Sequence, residues 1–377
     1  MRVVVVNLVY DADLEGPGEL LSRFGTLTGL AEALLKSAEI DVSVVQRFSR
    51  DADVTRNGIR YLFRDDGGAP VPRLRDLPRR LLRTVREASP DVVHVNGLSF
   101  PSQLAALLLA TARRPVFAVQ NHAGAPDRGF RGVLQRLVTP HADGFLFTAP
   151  EIADAWRRHG VLGDKPVFEV VEGSCDFSPV ERDAARAVSG IHGSPAVLWV
   201  GRLHEKKDPL TALDGFARAL ERLPDATLTM AFGEAPLLTA VEKRRARSPR
   251  LAERIRLVGR LSHAELPAWY SAADLFLTSS PDEGSNYALI EAMACGTIPV
   301  VSDIPVHRRV AGQAGEFFTR GDSDSCAEAL VRAAARLSPR ACAEVRARFE
   351  EAASWPAVAR QARAAYEALL AKRSRGA

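Results

Sequence analysis

Apolar runs of four to six residues recur along most of this 377-residue chain, and a stretch with helical periodicity separates nearly every pair. Runs such as VVVV at 3–6 carry no polar alternation, so they read as strands of parallel sheets covered on both faces. In the first half the strands fall at residues 3–8, 42–45, 92–95, 116–119, 145–147 and 167–171. Helices are expected near 26–37, 77–88, 101–111, 131–138 and 150–158. The stretch 178–195 is polar and rich in Ala, Gly and Ser, and reads as a linker. The pattern then restarts, with strands at 196–200, 227–232, 255–258, 274–278, 298–301 and 316–318. Helices near 209–222, 235–247, 263–272, 286–295, 323–336 and 339–352 cover them. The expected fold class is α/β, two doubly wound Rossmann-like domains facing a central cleft, with residues 1–177 and 196–354 as the two halves. A final helix, 355–377, is amphipathic through Val358, Ala362, Tyr366 and Leu369 and is expected to return to the first domain.

Length supports two cores, since single cores stop growing well below this size. With 46% hydrophobic and 25% charged residues the composition is that of an ordinary globular protein. No apolar run approaches a membrane-spanning length, and MRVVVVNLVY reads as a first strand rather than a secretory signal. The expected location is therefore cytoplasmic. Cys175, Cys295, Cys326 and Cys342 are widely spaced, which points to reduced thiols rather than a zinc site or a disulfide framework. Net charge is only +4, but arginine is locally crowded. The clearest cluster is Arg73 to Arg86, RLRDLPRRLLRTVR, whose leucines at 74, 77, 81 and 82 predict an amphipathic helix. It reads first as a helix packed on its own domain. The alternative is contact with anionic lipid or a charged acceptor, which would place the protein peripherally at the inner membrane face.

The stretch from Ser279 to Asp303, SSPDEGSNYALIEAMACGTIPVVSD, reads as one βαβ unit with a helix over 285–295. Glu283 is expected at the mouth of that helix and Glu291 two turns inside it. At about 1.5 Å rise per residue the two would be roughly 12 Å apart along the axis. The backbone amides of Gly284, Ser285, Asn286, Tyr287 and Ala288 lack intrahelical partners, so an anionic diphosphate is the natural guest. The plainer alternative is a capping carboxylate and a solvated one.

A second constellation is AVLWVGRLHEKKDP, in which a strand ends, Gly201 permits a tight exit, and Arg202 and Lys207 are expected to point into the same cleft mouth. A guanidinium fork plus an ammonium suit a diphosphate leaving group that gains charge. In FAVQNHAG a strand end carries His122, which could meet a sugar hydroxyl or could be structural; His94 is a weaker candidate. The loop from Tyr10 to Gly29 carries Gly25, where Phe24-Gly25-Thr26 would let a backbone amide approach phosphate. That loop lacks a dinucleotide fingerprint, and the chain has no Walker sequence, no GxSxG and no aspartate pair placed as a metal seat.

Taken together these stretches resemble the retaining glycosyltransferases of family 4, which have the GT-B fold. The resemblance covers nearly the whole chain and is strongest from Ala196 to Asp303. The family's two glutamates separated by seven residues match Glu283 and Glu291; its Gly-Arg-Leu and following lysine match Gly201, Arg202, Leu203 and Lys207. Its EAMACGTPVV tail matches EAMACGTIPVV, with a shift at Ile298-Pro299. Departures are Gly284-Ser285-Asn286 in place of Gly-Phe-Gly, and Glu172-Gly173-Ser174-Cys175-Asp176 in place of Asn-Gly-Val-Asp. Gly25 stands alone where a Gly-Gly pair is common.

The resemblance implies transfer of a sugar from a UDP- or GDP-type nucleotide diphosphate sugar to an acceptor hydroxyl, with retained configuration, in glycan, glycolipid or polysaccharide biosynthesis. It implies that Glu283 binds donor-sugar hydroxyls, Glu291 the ribose, and Arg202 with Lys207 the diphosphate. It further implies that the amides of 284–288 hold sugar and phosphate, Arg260 and Leu261 edge the base, and His122 reaches the sugar. Residues 1–177 would be the acceptor side and 196–354 the nucleotide-sugar side. The family works without a metal, and no cofactor is expected. The acceptor would be a glycan, a lipid-linked molecule or a small molecule, with no nucleic acid among the partners. Rival readings are a same-fold nucleotide-sugar epimerase or hydrolase, and a non-catalytic nucleotide-sugar-binding partner protein.

Overall fold

The computed structural model describes residues 1–377 except Phe24, Ala38, Ala112, Arg113, Ala123 and Ala377. The chain forms two units: Met1–Gly173 together with Trp355–Ala377, and Ser174–Ser354.

The first unit is built on an eight-stranded sheet. Its strands are β1 (Arg2–Asn7), β2 (Asp41–Arg47), β3 (Ala52–Arg56), β4 (Ile59–Arg64), β5 (Val92–Asn96), β6 (Val116–Gln120), β7 (Gly144–Phe147) and β8 (Val167–Glu169). Their spatial order is β3-β4-β2-β1-β5-β6-β7-β8, and every neighbouring pair is parallel except β3 with β4. Val3 to Val6 are all buried, as a strand covered on both faces requires. Helix Gly25–Lys36 packs against the last helix, Trp355–Gly376. That last helix buries Val358, Ala362, Tyr366 and Leu369 on this unit.

Three elements here were not expected, a pair of strands and a helix. Ala52–Arg56 and Ile59–Arg64 form a hairpin through Asn57-Gly58, both at positive φ (52° and 81°), which is the turn chemistry of a two-residue hairpin. Their charges, on Asp53, Arg56 and Arg60, obscured an alternation that the edge of the sheet exposes. The loop from Tyr10 to Gly29 contains helix Pro17–Arg23, which has Glu19 in its first turn, Arg23 in its last and Leu20 and Leu21 buried. Of the basic stretch Arg73 to Arg86, only the part from Arg79 onward is helical, in helix Arg79–Glu87, with Leu81 and Val85 buried. Proline at 78 limits helix on its amino-terminal side.

The second unit carries a six-stranded, all-parallel sheet. Its strands are β9 (Ala196–Gly201), β10 (Thr227–Phe232), β11 (Ile255–Gly259), β12 (Leu275–Thr278), β13 (Ile298–Ser302) and β14 (Glu316–Phe318), ordered β11-β10-β9-β12-β13-β14. Residues 178–195 are not a free linker. They hold helix Arg182–Ser189, capped by Glu181 and ended by Gly190 in the left-handed region. Arg182 and Arg186 both pair with the buried carboxylate of Asp274, which also accepts the Ala196 N–H at 2.7 Å. The alanines, a serine and a glycine that suggested a linker are the small residues of this packed helix and its cap. All four cysteines are free, Cys295 and Cys326 fully buried.

Candidate functional site

In the second sheet the chain moves outward in one direction from β9 through β10 to β11, and in the other from β12 through β13 to β14. The crevice at the carboxyl ends of β9 and β12 is therefore the topological switch point, where open α/β sheets bind ligands. Two loops meet there, 202–208 and 279–286. Side-chain hydrogen bonds fasten them. Ser279 Oγ donates to the carbonyls of Lys207 (3.2 Å) and Asp208 (2.6 Å), and Ser302 Oγ donates to the Ser280 carbonyl at 2.5 Å. Arg320 donates to the Pro281 carbonyl at 3.1 Å.

Across this junction Lys207 Nζ donates to Glu283 Oε1 in an ion pair, with only 21% and 12% of the two side chains exposed. A charge-assisted contact withdrawn from water is stronger than one on the surface. Lys207 is aimed by a single 3₁₀ turn, Glu205–Lys207, that ends at Asp208 in the left-handed region (φ 42°). Asp208 then caps helix Pro209–Ala219 by accepting from the Thr211 N–H at 3.3 Å. Arg202, expected to share a target with Lys207, has a different partner: it lies 3.8 Å from Glu234 and is half exposed. Along the same edge Arg260 follows β11, and its guanidinium covers Gly233, where an added Cβ would lie 3.4 Å from Nη2. Leu261, next to it, is half-buried.

The helix after β12 runs Tyr287–Ala294, later than expected. Glu283 therefore lies four residues before it and Glu291 little more than one turn inside, so a helical rise cannot be applied between them. Glu291 has its own surroundings: it accepts from Tyr270 Oη at 2.9 Å and lies 3.7 Å from His263 Nε2. The hydrogen bond to Glu291 raises the His263 pKa, and burial, then the Glu291 charge, holds Tyr270 protonated.

Asn286 is the helix N-cap, at φ 59°. Its Oδ1 accepts the Leu289 N–H at 3.3 Å, and its Nδ2 donates to His307 Nε2 at 2.8 Å. The Nδ1–H of His307 donates to the Ser302 carbonyl at 2.8 Å, so the ring is a neutral tautomer; burial lowers its pKa to about 4. The Asn286 side chain is thus committed to the fold. Gly284 and Ser285 are buried, while Tyr287 and Ala288 are half-buried at the helix start.

In the first unit His122 follows β6. Asn96 Nδ2 donates to Asn7 Oδ1 at 2.6 Å, which turns Asn96 Oδ1 toward His122 as an acceptor. The His122 Nε2–H donates to it at 2.9 Å, and His122 Nδ1 lies 3.8 Å from Glu172. Desolvation lowers the pKa of this ring, although a third of its side chain still meets solvent. His94, by contrast, is a core residue, bonded through Nδ1 to Tyr366 of the last helix, its pKa lowered to about 4 by burial. Gly25 is the first residue of its helix, with open space where a Cβ would be. Phe24, read with it, lies outside the described residues.

Tyr270, His263, Glu234, Asn7 and Asn96 join these surroundings only in the folded chain. No short motif carries them, because each reaches its partner through sheet order. Among the described residues no group of three or more His, Cys, Asp or Glu side chains could hold a metal ion.

Two family models match: the glycosyl transferase 4-like domain over residues 26–171 and glycosyl transferases group 1 over 194–336. The solved structure of HepE from Anabaena in complex with UDP-glucose has the same fold, with a TM-score of 0.64, 15% identity and full coverage of both chains. The fold class is thus that of the GT-B glycosyltransferases. D-inositol 3-phosphate glycosyltransferase of Mycolicibacterium smegmatis is 30% identical over 92% of this chain and 88% of its own length. Phosphatidyl-myo-inositol mannosyltransferase of Mycobacterium tuberculosis is 27% identical over 69% and 68%. This chain belongs to the family 4 glycosyltransferases.

Proposed function

We propose that the protein moves a sugar from a UDP- or GDP-type nucleotide diphosphate sugar to an acceptor hydroxyl, with retention at the anomeric carbon. The observation that carries this reading is the Lys207–Glu283 pair at the switch point of the second sheet. When the bond from the anomeric carbon to the phosphate oxygen breaks, negative charge accumulates on the diphosphate. The Lys207 ammonium, already held in place, would meet that charge, and Arg202 would join it by leaving Glu234. In a front-face displacement the departing phosphate oxygen takes the proton of the acceptor hydroxyl as the new carbon–oxygen bond forms, so no protein nucleophile is needed. Glu283 is assigned to hydroxyls of the donor sugar, and Glu291, steadied by Tyr270, to the ribose. The amides of Gly284, Ser285, Asn286, Tyr287 and Ala288 are assigned to sugar and phosphates, and Arg260 and Leu261 to the base. His122 and Gly25, in the first unit, are assigned to a sugar hydroxyl and to phosphate.

The relatives named for inositol phosphate and phosphatidyl-inositol acceptors support an acceptor that is a phosphorylated or lipid-linked polyol. The exposed arginines of helix Arg79–Glu87 support a peripheral place on anionic lipid. No helix among the described residues is long and apolar enough to cross a membrane.

A thermal-shift panel of uridine, guanosine and adenosine diphosphate sugars tests the donor. At about 100 times its Kd a true donor adds roughly 2.7 kcal/mol of apparent stability. The stabilising donor should then lose its sugar to an inositol-bearing acceptor with retained configuration. Stabilisation by none of the donors, or release of an altered or free sugar with no acceptor present, would overturn the reading.

A further inference from the structure

Helix Gly129–Val138 of the first unit rests Val138 against the core but leaves three apolar side chains in solvent. The residues it buries are Gly132 and Gln135. Gln135 donates through Nε2 to the Leu98 carbonyl at 2.9 Å and accepts the Asp127 N–H at 3.0 Å. Arg131 also donates to the Ser99 carbonyl, so two side chains tie this face to the segment after β5, while Gly132 packs on the Asp127 carbonyl of the helix's own leading turn. Its outward face carries Phe130, Val133 and Leu137, 74%, 43% and 65% exposed, at the i, i+3, i+7 spacing of one stripe. Arg128 and Arg136 are exposed beside the stripe.

The neighbouring helices extend this surface. From β4 to β5, β6 and β7 each crossover steps across the sheet in the same direction, so right-handed connections put helices Arg79–Glu87, Pro101–Ala110 and Gly129–Val138 side by side on one face. The middle helix, PSQLAALLLA, has no charged residue, and Leu109 in its last turn is 87% exposed. An uncharged strip thus lies between an arginine-rich helix and an apolar one flanked by arginines. Of the acids beside this layer, Asp127 is held by Arg131 at 3.2 Å, Asp51 by Arg80 at 2.7 Å and Asp76 lies 3.8 Å from Arg73, while exposed Glu87 closes the basic helix.

We infer that this three-helix face docks on an anionic lipid surface, with Leu109, Phe130, Val133 and Leu137 entering the headgroup and acyl boundary while the arginines meet lipid phosphates. Apolar side chains projecting from a rim in which exposed arginines outnumber acids match an interface that is apolar inside and anionic outside. A protein partner of ordinary composition would call for the two signs in more nearly equal number. The inference goes beyond the arginine helix named above: it assigns the insertion to a different element, and arginine and apolar variants separate the two ideas.

The test is sedimentation of the full-length protein with phosphatidylcholine vesicles, with and without an anionic phospholipid. Wild-type protein should sediment with the anionic vesicles. Leu109→Ser/Phe130→Ser/Leu137→Ser should bind them about tenfold or more weakly, with unchanged thermal unfolding and unchanged stabilisation by the donor sugar. A tryptophan placed by Phe130→Trp should shift its fluorescence to the blue on anionic vesicles. Wild-type binding retained by the triple variant, with loss only in Arg79→Gln/Arg83→Gln/Arg86→Gln, would overturn the insertion while leaving the electrostatic contact standing. Absence of vesicle binding, or a concentration-dependent dimer abolished by the triple variant, would overturn the lipid assignment altogether.

Discussion

Lys207 and Glu283, 76 residues apart in the chain, form an ion pair across the carboxyl ends of two adjacent parallel strands. The strands hold both residues where the helix-strand alternation changes direction, and most of each side chain is shielded from water. Such a pair resists solvent screening, and a diphosphate arriving there would share a cation already in position.

Lys207→Ala should lower kcat by about 10²–10³, the range for removing one preorganised donor to a transition state, about 2.7–4 kcal/mol. The fall in unfolding temperature should be small beside that, and steady-state kinetics with a melting curve would check both. Normal turnover would remove Lys207 from the reaction.

Arg202→Ala should also reduce turnover, but Glu234 competes for this guanidinium at 3.8 Å. Glu234→Gln should therefore lower the donor KM without lowering kcat. An unchanged KM in that variant would mean that Arg202 does not leave its partner for the donor.

Tyr270→Phe removes one hydroxyl, the donor to Glu291 at 2.9 Å. A lost hydrogen bond to a charged group is worth about 1.5–3 kcal/mol, so the donor KM should rise roughly ten- to a hundredfold while kcat changes little. The split between the two constants is the measurement. A drop in kcat alone would contradict a binding role for Glu291.

Asn286 sits at φ 59°, caps helix Tyr287–Ala294 and donates to His307. Asn286→Ala should cost about 2 kcal/mol or more, from a lost cap and a strained left-handed backbone. Asn286→Gly, free of the strain, should cost less. Urea denaturation of both variants gives the comparison, and equal losses would assign the whole effect to the hydrogen bonds.

Stability should fall as pH drops from about 6.5 to about 4. His94 and His307 are buried and neutral, each with its pKa lowered from 6.5 to about 4. In that interval the unfolded chain binds protons that the folded one refuses, so their contribution is complete above 6.5 and lost below, on the order of 2–3 kcal/mol per ring. His263, raised by Glu291, acts in the opposite sense, helping at low pH and fading as pH rises, but it is largely exposed. Denaturant midpoints across this interval should slope upward with pH; a flat profile would mean that the two rings are not held neutral.

The sequence by itself determined the alternation of buried strands and helices, the restart near Ala196, and the residue types at the site. Those features are local: a run such as VVVV and the stretch around Glu283 and Glu291 state their chemistry within a few positions. Even the Asn57-Gly58 hairpin was written there, under a cover of charge. Tertiary structure alone decided who meets whom. Arg202 turned to Glu234, Lys207 to Glu283, and Glu291 to Tyr270, because strand order, set by packing across whole sheets, brings loops distant in the chain to one edge. It also decided that Gln135 goes in and Phe130 stays out, against the pattern that periodicity predicts, because hydrogen bonds from Gln135 to Leu98 and from Arg131 to Ser99 fix that helix on its polar side.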